Sequence, residues 1–263
     1  MNTKTVVIAG GTDGMGRATA LARFERGDDV FVIGSNAAKG RTLPSGITFI
    51  NQDLSGGTAI KAVVAELYAR VSAVDALVLC ANRVSPARRE TSEHLEYTFG
   101  LYFLARHRLA EGLRPLLEAA AAPVIVNVGG VGVTKGRIAW DDLQLRTGYS
   151  MVRAQMQAGR LNDLLGAGYS GKARYVLYHP GFTKSGDHSP LNPVLRGVLR
   201  ALAFVAARPV AESVAPIVDL IDTPPAAQLT ALDRGRELPL SLSSLDPAGA
   251  ARLHAVLADE AFA

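Results

Sequence analysis

The chain has 263 residues, 48% of them apolar, with 28 basic and 24 acidic side chains and a net charge of +4. That is enough apolar material for one large core. No apolar run is long enough to cross a membrane, and the basic residues form no stripe with interleaved aromatics of the kind that binds nucleic acid. Cys80 is the only cysteine, so it cannot form an internal disulfide and reads as a packing residue in a buried strand.

Thr5 to Ala9 is a short apolar strand, and no basic and apolar leader precedes it, which makes a cytoplasmic location the expectation. It runs into Gly10-Gly11-Thr12-Asp13-Gly14-Met15-Gly16 and then a helix over 15–26. Gly10 can take a turn conformation closed to residues with a Cβ, Gly14 lets the backbone approach a pyrophosphate, and Gly16 lets the helix pack against the strand. The free N–H groups and positive dipole of that helix start would face the phosphates. A second strand, 30–33, ends in Gly34-Ser35-Asn36-Ala37-Ala38-Lys39 with no acid to bind a ribose 2′-hydroxyl. Ser35 and Asn36 can donate hydrogen bonds, and Lys39, Arg41 or Arg17 can supply charge for a 2′-phosphate, so NADP(H) is the expected cofactor.

Further strands at 76–80, 124–128 and 174–178 alternate with helices at 57–70, 92–121 and 150–165. Strands of nearly continuous apolar character alternating with helices predict a parallel sheet covered on both faces. The expected fold is a single α/β domain over 1–263, Rossmann-type and doubly wound, with about seven strands. His107, His188 and His254 have no metal-ligand spacing with Cys80 or with each other, so no metal site is expected. Asp142 reads as a loop-capping residue.

The Gly-x-x-x-Gly-x-Gly spacing resembles the short-chain dehydrogenase/reductase superfamily. Asn51-Gln52-Asp53-Leu54 looks like its acidic clamp beside the adenine, Cys80-Ala81-Asn82 like the end of its fourth strand, and Pro180-Gly181-Phe182-Thr183-Lys184-Ser185 like its segment after the sixth. The resemblance implies a cofactor site made of Gly10, Thr12, Asp13, Gly14, Met15, Gly16, Asp53, Leu54, Ala81, Asn82, Pro180, Gly181, Phe182 and Ser185, joined by Ser35, Asn36 and Lys39. It also implies a substrate lid over 186–208, whose apolar stretch suits a hydrophobic small molecule. A homo-oligomer, dimer or tetramer, is expected.

Catalytic residues are where the chain departs from these relatives. The family uses a Tyr to exchange a proton, a Lys four residues later to lower the Tyr pKa, a Ser on the substrate oxygen and an Asn on the fourth helix. Here Gly129-Gly130 stand in place of Ser-Ser, and Tyr102 holds the Asn position. Two registers compete for the Tyr and Lys. In one, Tyr149 and Arg153 form a Tyr-x-x-x-Arg pair at about the usual gap from Pro180. In the other, Trp140-Asp141-Asp142-Leu143-Gln144 and Arg153-Ala154 match the retinol-dehydrogenase-like branch, which puts Gln155 and Gly159 at the motif positions. At about 100° per residue, Tyr149 and Gln155 would lie roughly 120° apart on one helix and could not both face a nicotinamide. The expectation leans to Gln155. The function expected is an atypical NADP(H)-dependent reductase of a mid-sized, partly apolar carbonyl, enone or iminium, of the kind found in specialised metabolism. The alternative is a catalytically silent NADP-binding protein with a non-redox role, such as a cyclase, a binding module or a regulatory subunit.

Overall fold

A computed structural model gives the structure of the protein; the residues it describes are 3–132, 136–181, 183 and 209–258. The apolar runs form strands β1 (Thr5–Ala9), β2 (Asp29–Gly34), β3 (Thr48–Asn51), β4 (Ala76–Leu79), β5 (Val124–Val128), β6 (Arg174–His179), β7 (Leu229–Asp233) and β8 (Arg236–Glu237). They make one sheet in the order β3-β2-β1-β4-β5-β6-β7-β8. The first seven pair in parallel and only the two-residue β8 runs antiparallel, against β7. Alternate side chains enter opposite layers. Val7, Ala9, Phe31, Ile33, Leu77 and Leu79 pack in one core cluster, and Val6, Ile8, Val30, Val32, Ala76 and Val78 in the other. Burial on both faces explains why these strands show no polar alternation.

Among the described residues the α-helices are α1 (Gly14–Glu25), α2 (Ala37–Gly40), α3 (Gly57–Arg70), α4 (Ala105–Gly112), α5 (Arg114–Ala119), α6 (Met151–Gly168), α7 (Val210–Asp222) and α8 (Pro247–Leu257). None of the described helices is long and apolar enough to cross a membrane. The strand order reverses at β1, which lies between β2 and β4, so the crevice that binds ligands in doubly wound sheets opens at the C-terminal ends of β1 and β4.

The helix expected over 92–121 is instead three pieces. Residues 91–96 lie outside the helix: Thr91 Oγ1 accepts from Glu93 and Leu95 N, and the buried Glu96 carboxylate accepts from Thr98 N and Phe99 N at 2.9 and 2.7 Å, capping a helical turn that begins at Tyr97. These bonds occupy donors that an earlier helix start would need. A π-helical turn then spans Phe99–Leu104 and leads into α4. Pro115, at the second position of α5, lacks an N–H and separates α5 from α4. Strands β3, β7 and β8 were not among the expected ones. All three lie toward the sheet edges and are less completely buried than the central strands, so their apolar runs are broken by polar residues.

Behind the sheet, Asp163 of α6 is 2% exposed and its Oδ2 has no hydrogen-bond partner among the described residues. Burial pushes its pKa up to about 7, with partial relief from the neighbouring Ser244 hydroxyl and then from the Arg160 charge. The folded state therefore holds this proton more tightly than the unfolded chain does. Stability drawn from it is complete below the ordinary carboxylate range and is lost as pH rises toward 7. Asp163→Asn should flatten that fall and raise stability above pH 7 by on the order of 2–3 kcal/mol. Urea unfolding of both proteins from pH 4 to 8 checks this, and parallel curves would refute it.

Candidate active site

The turn after β1 is built by its glycines. Gly10 has φ +81°, and its N–H donates to Ile33 O at 2.9 Å, fastening the turn to the end of β2. A Cβ on Gly10 would lie 2.7 Å from the Ala81 backbone, and one on Gly16 would lie 2.3 Å from Gly10 O. Gly14 opens α1 with φ +51°. Asp13 caps the helix by accepting from Gly14 N at 2.7 Å. The result is a bare backbone concavity at a helix start, the shape and polarity that a pyrophosphate requires.

A groove of about 690 Å³ runs from this turn across the strand ends. Its walls carry Gly10, Thr12, Asp13, Gly14, Met15, Gly16, Ser35, Asn36, Lys39, Asp53, Leu54, Ala81, Asn82 and Pro180. Of the remaining expected contacts, Gly181 has φ +78° and packs under the Arg234 side chain. Phe182, Ser185 and the lid expected over 186–208 lie outside the described residues.

At the β2 end, Asn36 caps α2 by accepting from Lys39 N at 3.0 Å, and Lys39 Nζ pairs with Asp13 across the groove. Arg17 is turned away, donating to Thr42 O at 3.0 Å. Lys39 is thus the cation nearest this end on the groove wall, and it is held by a carboxylate that also caps α1.

Of the candidate catalytic residues, Tyr102 lines the groove, whereas Tyr149, Arg153 and Gln155 are not among its lining residues. Gln155, on α6, and Asn82, just past β4, exchange two amide hydrogen bonds: Asn82 Nδ2 donates to Gln155 Oε1 at 3.0 Å and Gln155 Nε2 donates to Asn82 Oδ1 at 3.2 Å. Tyr149 does not share a helix with Gln155, contrary to the stripe expected from periodicity. Helix α6 starts at Met151 behind the N-cap Ser150, whose extended backbone (φ −145°) leaves Tyr149 outside it. Tyr149 Oη donates to Ser85 O at 2.7 Å, and burial beside Glu96 raises its pKa. Arg153 is exposed and donates to the carbonyls of Thr147 and Gly148. Asp142 accepts from the backbone N–H groups of Arg146 and Thr147, the capping role expected of it.

Beneath the groove lies a buried polar network that the sequence did not reveal. Arg106 of α4, 2% exposed, donates to Asn127 Oδ1, to Val128 O at 2.7 Å and to Ala81 O at 3.2 Å. Asn127 in turn donates to Asn162 Oδ1 and to Tyr175 Oη. In sequence, Arg106 stands beside His107 and Arg108 and looks like part of a solvated face. Cys80, on the groove wall, has its thiol pushed up to about 12 by burial, which keeps it a neutral packing group.

Residues 4–141 match the family model described as short chain dehydrogenase. The putative daunorubicin C-13 ketoreductase DnrU of Streptomyces sp. (strain C5) is 27% identical over 232 residues, covering 80% of each chain. Oxidoreductase AN1596 of Emericella nidulans is 29% identical over 172 residues, 61% of this chain and 51% of that one. Human retinol dehydrogenase 13 is 27% identical over 153 residues, 55% of this chain and 46% of that one. The matches to these last two span about half of their length. Among solved structures, a short-chain dehydrogenase from Streptomyces avermitilis superposes with a TM-score of 0.65 at 21% identity, covering 97% of this chain and 95% of that one. The 3-alpha-hydroxysteroid dehydrogenase from Pseudomonas sp. B-0831, complexed with NADH, gives a TM-score of 0.68 at 20% identity over 88% and 96% of the two chains. At these identities the structures speak for the fold.

Proposed function

The chain belongs to the short-chain dehydrogenase family, and from that premise we propose that it is an oxidoreductase binding NADP(H) in the groove at the strand ends. Its substrate is a mid-sized, partly apolar carbonyl, enone or iminium compound. The observation that carries this reading is the bare turn at Gly10, Gly14 and Gly16 opening into a groove of about 690 Å³, within the size range of small-molecule and cofactor sites. Gly10 and Gly16 leave no room for a Cβ, and Gly14 has the backbone conformation that glycine favours.

On this reading Gly14, Met15 and Gly16 hold the pyrophosphate at the start of α1. Asp53 and Leu54 flank the adenine, Asn82 and Pro180 border the nicotinamide half, and Ser35, Asn36 and Lys39 bind the 2′-phosphate. A bound nicotinamide supplies or accepts the hydride. Gln155 takes the place of the family tyrosine, and its amide, tied to Asn82, orients groups in the site without exchanging a proton. The same amide pair favours a second reading, a protein that binds the dinucleotide without redox turnover.

Cofactor choice is directly measurable. With no acid at the end of β2 and Lys39 beside it, NADPH should bind at least about tenfold more tightly than NADH, a difference of about 1.4 kcal/mol. Calorimetry with both cofactors checks this, and equal affinities would remove the 2′-phosphate assignment. Following NADPH absorbance with ketones, enones and iminium ions separates the reductase from the silent binder.

A further inference from the structure

The family has Ser-Ser after β5 where this chain has Gly129-Gly130, and the Tyr102 side chain lies beside the first of these glycines. A Cβ built on Gly129 would lie 3.4 Å from Tyr102 Oη, and Tyr102 and Gly129 stand together on the groove wall. Tyr102 comes from the π-helical turn, a local widening that shifts side chains out of the α-helical register and recurs at functional sites. Its carbonyl accepts from Asn162 Nδ2 of α6 at 2.8 Å, which fixes the turn from outside.

Under the ring is Arg106, its guanidinium carbon 4.6 Å from the ring centroid. Its hydrogen-bond partners, Asn127 Oδ1 and the carbonyls of Val128 and Ala81, are all neutral. Its Nε is buried with no partner among the described residues. A buried cation whose bonded partners carry no charge is costly to keep, and a group that becomes anionic beside it would draw on that cost.

We propose that Tyr102 is a catalytic residue: its hydroxyl, beside the space left by Gly129, hydrogen-bonds the substrate oxygen and gives it the proton that completes reduction. Arg106 is a positioning residue that stabilises the phenolate. The inference rests on the dinucleotide reading above. The carbonyl carbon gains a C–H bond from the hydride of a reduced nicotinamide dinucleotide, the co-reactant. The π electron pair of C=O moves onto oxygen, the O–H bond of Tyr102 breaks, and its proton forms the alcohol O–H. Water in the groove then reprotonates the phenolate. Burial raises the Tyr102 pKa, Arg106 on its own helix lowers it, and Asp163 on α6 raises it. The phenol is therefore protonated at neutral pH, as a donor to an alkoxide must be.

The test compares the full-length wild type with Tyr102→Phe, Arg106→Met and Arg106→Lys, the last keeping the charge should the methionine variant fold poorly. NADPH affinity is read by calorimetry, turnover with a panel of ketones and enones, whose oxygen takes up the proton, and tyrosinate formation by ultraviolet titration. Tyr102→Phe should leave NADPH affinity within about threefold, lower turnover by about 10²–10⁴-fold and delete one high-pH phenol from the titration. Arg106→Met should move that phenol to still higher pH, a shift that a merely structural arginine would not produce, and Arg106→Lys should move it less. Undiminished turnover in Tyr102→Phe overturns the inference, as does loss of turnover in Tyr149→Phe instead, a phenol indifferent to both Arg106 changes, or a wild type that binds NADPH and reduces nothing in the panel. Each of these leaves the dinucleotide site standing. A wild type that binds no NADPH overturns the site and the inference together.

Discussion

Gly14→Val should abolish dinucleotide binding, weakening NADPH by at least about a hundredfold, or about 2.7 kcal/mol. Two physical effects act in the same direction. Gly14 has φ +51°, a conformation in which a β-branched residue is a genuine outlier, costing on the order of 1–3 kcal/mol. Its Cα also lies at the opening of α1, where the pyrophosphate would have to come close to the backbone, and a valine side chain would occupy that space. The core strands do not depend on this position, so far-UV circular dichroism should stay close to wild type. Calorimetric titration with NADPH decides the matter. Full affinity in a folded Gly14→Val protein would mean that this turn does not hold the phosphates.

Asp28→Ala should destabilise the fold by about 3–5 kcal/mol, the usual consequence of stranding one partner of a buried ion pair. Arg23 of α1 is 2% exposed and pairs both with Asp28, in the turn between α1 and β2, and with Asp222 at the end of α7. It also donates to Val218 O at 3.3 Å. Asp28 further accepts from Lys4 N at 3.0 Å, so the same carboxylate ties the start of β1 to the α1–β2 turn. Removing it leaves Arg23 buried with Asp222, 36% exposed, as its one charged partner among the described residues. Arg23→Met should cost a similar amount, because it leaves the Asp28 carboxylate, 4% exposed, with only the Lys4 N–H in place of its cation. Urea denaturation of the three proteins measures both effects. Equal midpoints for Asp28→Ala and wild type would show that Asp222 alone satisfies Arg23.

The parts of the site legible in the sequence are those made by consecutive residues. The Gly10–Gly16 turn is specified by where a Cβ cannot go, and the strands that feed it by unbroken apolar runs. Both are local properties, and both reappear in the groove. Asn36, Lys39, Asp53 and Asn82 follow directly because each lies just past a strand end, and in a parallel sheet all such ends reach one edge.

Tertiary structure decided what periodicity could not. Whether Tyr149 and Gln155 belonged to one helix depended on Ser150, which caps α6 through its side-chain bond to Arg153 N and starts the helix at Met151, two residues past Tyr149. The break of the 92–121 segment into a loop, a π-helical turn and two helices depended on Glu96 and Thr91 capturing backbone donors and on Pro115 removing one. The meeting of Tyr102 with the gap at Gly129, and of Arg106 with Asn127, joins residues 27 and 21 positions apart through the packing of α4 against the strand ends. An arginine reads the same in sequence whether it faces water or lies beneath a tyrosine ring. Burial is set by how distant elements pack, and no local pattern encodes it.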